Sequence, residues 1–293
     1  MEIQQVLIVG AGLMGGGIAQ VCAQAGIEVL LNDVSPEALQ KGIKNIAWSV
    51  EKLTGKGALG ESKETILGRI RSVADMEAAR DVDLAVEAVY ENLALKKEIF
   101  TALDRGLQPQ ALLASNTSAI PITELAAATR RPDRVLGLHF FSPVPLMQAV
   151  EVIRGLATSD ETARTGWDFV ARIGKEAIMV NRDVPGFVVN RINFQANIEA
   201  MNLVEQGVAS VADIDKGMRL AAGRKMGIFE TGDMVGLDVT YGALMAMYQE
   251  TGDFRWYPPL LLRRKVKAGH LGRKTGKGWY EYNKDGSRRE ETP

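Results

Sequence analysis

Over its first 180 residues the chain alternates short apolar runs with longer stretches of helical spacing. The runs at 6–10, 28–33, 82–88, 111–115, 134–140, 150–153 and 177–180 are rich in Val, Ile, Leu and Ala, and each predicts a strand. Residues 14–25, 36–52, 93–105 and 122–129 between them predict helices. Alternation of this kind builds a mostly parallel sheet with helices on both faces. After Asp183-Val184-Pro185-Gly186 the pattern changes. Residues 187–250 keep helical periodicity, as in Val189, Ile192, Asn193, Ala196, Ile198 and Met201, with few strand-like runs. Pro185-Gly186 reads as a joint, because proline restricts the residue before it and glycine frees its own backbone. The expected layout is an α/β domain over 1–185 followed by an all-helical domain over 186–293. The polar end, 285–293, is expected to fray.

Composition narrows the function classes. At 293 residues, 46% apolar and 24% charged, the chain can bury a substantial core and reads as a soluble globular protein. Lys and Arg number 35 against 36 Asp and Glu, which argues against wholesale binding to nucleic acid or an anionic membrane. The lone Cys22 excludes an internal disulfide framework and fits a reducing compartment. The opening Met-Glu-Ile-Gln-Gln lacks the marks of a signal or transit peptide, and no run approaches the ~20 apolar residues of a membrane span. A cytoplasmic location is expected.

Gly10-Ala11-Gly12-Leu13-Met14-Gly15 fits G-x-G-x-x-G. The pattern alone is weak, but here it follows an N-terminal strand and opens a helix. A second strand then ends at Asp33, 18 residues beyond Gly15. In this context Gly10 permits the tight turn and Gly12 lets backbone approach a pyrophosphate. Gly15 allows close helix–sheet packing, and the helix N-terminus faces the negative charge. Asp33 is placed to accept from the adenosine ribose hydroxyls and to repel a 2′-phosphate, which favours NAD over NADP. The first domain is thus expected to be a doubly wound Rossmann-type domain.

The sequence has two histidines. His270 has no acidic residue close by in sequence. His139 ends the apolar run Val135–His139, where open α/β sheets bind their ligands. An imidazole is a suitable base to take a proton from an alcohol. Glu151, twelve residues later, begins another strand and would orient the ring if that strand lay adjacent. Spacing alone leaves both the pairing and a plain structural histidine open.

Several segments in order now resemble the 3-hydroxyacyl-CoA dehydrogenases, and among them the short-chain 3-hydroxybutyryl-CoA enzymes. They are Gly-Ala-Gly-Leu-Met-Gly-Gly-Gly-Ile-Ala-Gln (10–20), Val-Glu-Ala-Val-Tyr-Glu-Asn (86–92), Ala-Ser-Asn-Thr-Ser (114–118) and His-Phe-Phe-Ser-Pro-Val-Pro (139–145). Val-Glu-Val-Ile-Arg-Gly (150–155), Pro-Gly-Phe-Val-Val-Asn-Arg (185–191), Asp-Met-Val-Gly-Leu-Asp (233–238) and Leu-Gly-Arg-Lys-Thr-Gly-Lys-Gly (271–278) complete the set.

The resemblance implies NAD-dependent oxidation of (3S)-3-hydroxyacyl-CoA and the reverse reduction of acetoacetyl-CoA. It makes His139 the general base, paired with Glu151, while Ser118 and Asn190 hydrogen-bond the reacting oxygen or acyl group. Cofactor contacts fall to Gly10, Gly12, Leu13, Met14, Gly15, Asp33, Glu91, Lys96, Asn116, Ser142 and Lys274. Ser49, Lys52 and Lys56 match positions that hold CoA. No metal is implied, and the helical domain is expected to form a homodimer.

Read singly, these residues keep plainer explanations. Glu91 would suit a helix start, the three lysines solvated helix faces, Ser118 a turn, and Asn190 a cap. Met234, Met245 and Met247 would serve a dimer face or a core equally well. Three positions depart from the family pattern: Ser142 for asparagine, Ala119 for a second serine, and Ile228 for proline, the last expected to alter a loop near the acyl pocket. Two other activities share the pattern. One is a dehydrogenase of a free hydroxy or sugar acid, like the gulonate dehydrogenases; the other is a nucleotide-binding structural protein without turnover.

Overall fold

The computed structural model describes residues 1–74 and 79–289 and falls into two compact units, Met1–Phe187 and Val188–Pro293. The first unit runs β1 Gln5–Val9, α1 Leu13–Gln24, β2 Glu28–Asn32, α2 Pro36–Thr54, α3 Lys63–Gly68 and β3 Ile70–Val73. It continues through β4 Leu84–Glu87, α4 Leu93–Gly106, β5 Leu112–Ser115, α5 Ile122–Ala126, β6 Val135–Phe140, β7 Ala149–Arg154, α6 Asp160–Arg172 and β8 Glu176–Val180.

The strands form one sheet in the order β3-β2-β1-β4-β5-β6-β7-β8. Neighbours are parallel except β6 and β7, which run antiparallel. Successive strand residues point to opposite faces, and both faces are covered. Val6 and Ile8 pack with residues of α1, α2 and α6, whereas Leu7 and Val9 pack with α4 and α5. This is the doubly wound, mostly parallel architecture that the pattern predicts. The strand order reverses direction between β1 and β4, the crevice where such sheets bind ligands.

Local chemistry sets the helix starts. Ser35 caps α2 by accepting from Ala38 N–H, with Pro36 at the first helical position. Asn92 caps α4 by accepting from Leu95 N–H, which places Lys96 one turn into that helix. The α4 C-terminus is closed by Arg131, which donates to the carbonyls of Asp104, Leu107 and Gln108.

Three elements of this unit escape the apolar pattern: α3 and β3, which are short and half exposed, and α6, which has alternating charges. Helix α5 also ends three residues before the expected 129.

The second unit packs α7 Val189–Glu205, α8 Val211–Leu220, α9 Ile228–Val235, α10 Leu237–Thr251 and α11 Leu260–Lys267 around Met201, Phe229, Leu244, Met247 and Trp256. Its last stretch has no α-helix among the described residues, only the 3-10 turn Arg273–Thr275. Isolated bridges join Gly272 to Lys277, Lys277 to Glu281 and Tyr282 to Arg288, so residues 285–289 are tied down and not frayed. Residues 290–293 lie outside the described residues. Two buried carboxylates hold this stretch: Asp233 accepts from Trp279 N–H, Tyr280 N–H and the Tyr282 hydroxyl, and Asp215 from the Tyr280 hydroxyl. Of Met234, Met245 and Met247, the last is core and the first is exposed. Ile228 is buried at the first position of α9, where proline also fits. Its exchange for proline therefore leaves a helix start intact and does not reshape a loop.

Candidate active site and cofactor turn

The carboxyl end of β1 leads into the glycine turn. Gly10 sits at φ +105, and a β-carbon there would lie 2.7 Å from the Ala88 carbonyl oxygen. A β-carbon on Gly15 would lie 1.8 Å from the Gly10 oxygen, so both positions require glycine. Gly12 caps α1, has open space beside it, and the first turn of α1 carries no acidic residue. Leu13 is exposed and Met14 half-buried. These features fit a pyrophosphate at a helix N-terminus. Asp33, just beyond β2, accepts from Ala11 N–H at 2.8 Å and from Ser35 N–H at 3.0 Å. It braces the turn and keeps lone pairs available for a diol.

The second cluster gathers at the ends of β4, β5 and β6. His139 and Glu151 are cross-strand partners on β6 and β7, with Nδ1 2.6 Å from Oε2. Glu151 is fully buried and His139 nearly so. A carboxylate at Nδ1 selects the tautomer in which Nδ1–H donates and Nε2 is bare. Nε2 faces the Ser118 hydroxyl at 3.1 Å. The Phe141 and Phe187 rings flank the imidazole with centroids at 4.6 and 5.6 Å. Phe187 holds φ at +47, in the left-handed region that disfavours a side chain. Asn116 accepts from Phe140 N–H at 2.9 Å and so fixes the end of β6 beside the histidine.

The remaining sequence candidates fall in several places. Glu91 is exposed, and its carboxylate accepts from Thr117 and from the backbone of Ser118 and Ala119. Lys96 is not a solvated face lysine: it is buried against Glu87. Ser142 is exposed and joined to Pro143 by a cis peptide bond.

Ser49 lines a groove of about 240 Å³ together with Gly12, Gln20, Asn45, Trp48 and Val144. Trp48 is exposed, and the Lys52 ammonium lies 4.2 Å over its ring. Lys56 is exposed just past α2. In the second unit, Asn190 is the second residue of α7, whose cap is Val188, so it does not serve as the cap. Lys274 pairs with Asp238 at 2.6 Å. Glu87, Thr117, Phe187 and Trp48 were not among the sequence candidates. A charged residue closing a strand as apolar as Leu84–Glu87 is the signal that points to the first of them.

Residues 5–184 match the model of the 3-hydroxyacyl-CoA dehydrogenase NAD-binding domain, and residues 186–282 that of the 3-hydroxyacyl-CoA dehydrogenase C-terminal domain. The chain belongs to the 3-hydroxyacyl-CoA dehydrogenase family. It is 42% identical over 281 residues to a 3-hydroxybutyryl-CoA dehydrogenase of Bradyrhizobium diazoefficiens, covering 96% of each chain. To the mitochondrial hydroxyacyl-coenzyme A dehydrogenase of Sus scrofa it is 41% identical over 288 residues, covering 96% of this chain and 91% of the relative. The crystal structure of the (S)-3-hydroxybutyryl-CoA dehydrogenase of Ralstonia eutropha superposes with a TM-score of 0.93 at 43% identity, covering 97% of this chain and all of that one. Family membership bears out the resemblance carried by the ordered motifs, and the glycine turn lies within the family's NAD-binding domain. No helix among the described residues is long and apolar enough to cross a membrane.

Proposed function

We propose that this protein oxidises (3S)-3-hydroxyacyl-CoA thioesters to 3-ketoacyl-CoA with NAD and runs the reverse reduction on acetoacetyl-CoA. The observation that carries this reading is the chain Glu151–His139–Ser118, which delivers a bare Nε2 and a hydroxyl to one point. A secondary alcohol placed there gives its proton to Nε2. Buried Glu151 stabilises the imidazolium and keeps the ring oriented, while Ser118 aligns the reacting oxygen. In reduction the same nitrogen returns the proton. The bound dinucleotide supplies the hydride acceptor, and the protein supplies orientation and electrostatics.

The glycine turn and Asp33 hold the cofactor, with Leu13, Met14 and Asn116 beside it. Ser142 meets the nicotinamide end with a single hydroxyl where the family places an amide. Ser49, Lys52 and Lys56 hold the CoA moiety along the groove beside α2. Asn190 is assigned to the acyl oxygen and Lys274 to the cofactor by the family resemblance alone. The exposed Ile192, Met234, Val235 and Val239 of the second unit support a homodimer through that unit. Burial pushes the Cys22 thiol up to about 12, which leaves it an unreactive cysteine of the core.

The test is NADH oxidation with acetoacetyl-CoA, longer 3-ketoacyl-CoAs and free acetoacetate, repeated with His139→Gln. Turnover on the thioester that collapses in the variant supports the reading. Turnover on free acids alone would sink the CoA assignment, and an active His139→Gln would sink the mechanism.

A further inference from the structure

The turn between α4 and β5 lies at the amino ends of the strands, away from the catalytic edge. Helix α4 spans 14 residues, so about 20 Å separate its two ends. At the far end a cavity of about 670 Å³ is lined by Arg80, Arg105, Arg130 and Arg131, with Asp104 the only acid among its described lining residues.

A helix C-terminus favours cations, because its last carbonyls lack intrahelical donors. One arginine already meets that need. Arg131, with its side chain 11% exposed, donates from Nη2 to the Asp104 and Leu107 carbonyls at 2.7 and 3.2 Å. Its Nε donates to Asp104 Oδ1 at 2.8 Å. Asp104 Oδ2 accepts from Arg130 Nε at 2.9 Å and Arg130 N–H at 3.1 Å. Both oxygens of the single acid are thus occupied.

The other three guanidiniums exceed what the helix end requires. The Arg130 side chain is 77% exposed, and among the described residues its Nη1 meets no acceptor. Arg80 and Arg105 are exposed, and among the described residues neither side chain has a hydrogen-bond or ion-pair partner. Four cations against one carboxylate leave three net positive charges in one cavity, on a chain whose formal net charge is −1. Like charges gathered there repel, and an anion between them relieves the repulsion.

The wall that carries Arg80 is tied to the wall that carries Arg105. Gln108 N–H donates to the Arg80 carbonyl at 2.9 Å, and Gln108 Nε2 to the carbonyls of Asp81 and Val82, each at 3.1 Å. The backbone is therefore set before a ligand arrives, and only side chains remain to be ordered. A guanidinium is a planar fork of donors that meets phosphoryl oxygens two at a time. Three such forks around a cavity of this size suit linked phosphoryl groups better than a single one.

We infer that this cavity at the carboxyl end of α4 is a binding site for a di- or triphosphate, held by Arg80, Arg105 and Arg130. Asp104 and Arg131 build its floor. The site shares no residue with the catalytic chain, the glycine turn or the groove beside α2, so it stands independently of the proposed reaction.

The test is calorimetric titration of the whole enzyme with inorganic pyrophosphate and tripolyphosphate. NADH and CoA are held at saturation, so that the glycine turn and the groove are already filled. One saturable site is expected, weaker in raised salt. Arg80→Gln combined with Arg105→Gln should weaken it about tenfold or more, with acetoacetyl-CoA turnover within about twofold of wild type. Arg164→Gln, at an exposed arginine of α6, should leave the affinity unchanged. Should the paired variant not fold, Arg105→Glu alone should produce the same loss.

No saturable binding, undiminished affinity in the arginine variants, or equal weakening by Arg164→Gln would each overturn the inference. Orthophosphate binding as tightly as pyrophosphate would overturn the assignment to linked phosphoryl groups. ADP titrated in the same way separates the sources: tighter binding than pyrophosphate names a nucleotide, and equal or weaker binding an inorganic chain. Either upholds the site when the paired variant loses it.

Discussion

Glu151 Oε2 lies 2.6 Å from His139 Nδ1, and the two residues face each other where β7 turns back along β6. That antiparallel step makes residues twelve apart in sequence direct partners. The carboxylate then decides which imidazole nitrogen is bare. A glutamine at 151 keeps the shape but loses the charge and its hold on the tautomer. Glu151→Gln is expected to lower kcat about hundredfold, and His139→Gln about a thousandfold. Steady-state assays check both, with NADH binding unchanged. Full activity in Glu151→Gln would contradict the orienting role.

Phe187 presents a second test of the same ring. Its left-handed backbone costs a non-glycine residue about 1–2 kcal/mol, so the buried side chain must return more than that. Phe187→Ala should destabilise the first unit by about 3 kcal/mol, and Phe187→Leu by about 1. Both should lower kcat, since each removes the ring beside His139. Denaturant melts and kcat measured on the two variants would show it.

Gly15→Ala should act on the cofactor and spare the histidine. The added carbon meets a backbone oxygen at 1.8 Å, so the Gly10 turn must move. NADH affinity should fall about tenfold or more, with the fold retained. Fluorescence titration of NADH gives the readout, and unchanged affinity would argue against a pyrophosphate at this turn.

Asp104 offers a prediction in pH. Burial alone would raise its carboxyl, but Arg130 and Arg131 outweigh that and hold it below the ordinary 3.8. A carboxylate whose folded-state value is depressed stabilises fully above its unfolded value, and loses that contribution as pH falls through the folded one. Asp104→Asn should therefore cost about 2–3 kcal/mol at pH 7, where it leaves nearly buried Arg131 without its counter-charge. The gap between variant and wild type should narrow below about pH 4. A gap independent of pH would refute the ion-pair account.

Much of this was legible in the chain and some was not, for physical reasons. Continuous apolar strands such as Gln5–Val9 announce a sheet buried on both faces, and the glycine turn announces its ligand edge. The partnership of His139 with Glu151 was not legible from spacing, because it depends on strand direction. Lys96 looked like any helix-face lysine, since burial is set by the neighbouring Glu87 and not by the helix itself. Trp48 sits among the polar positions of α2, and nothing in the periodicity separates a groove-lining aromatic from a solvated one.

Trp48 carries the last prediction. It is 61% exposed, and the Lys52 ammonium lies over its ring on the rim that Ser49 lines. An exposed tryptophan offers a flat apolar face, and the cation above it adds about 0.5–1 kcal/mol of attraction at a surface site. If the CoA moiety lies along this groove, the contact is remote from the reacting carbon and equal in ground and transition states. Trp48→Ala and Ser49→Ala should then raise KM for acetoacetyl-CoA about five- to tenfold with kcat nearly unchanged. Lys56→Ala should do so less, and its effect should fade with added salt, as expected for an exposed charge meeting a phosphate. Gly12 and Leu13 line the same groove, so the KM for NADH must be measured in parallel. A rise in that value in place of the thioester's would hand the groove to the cofactor.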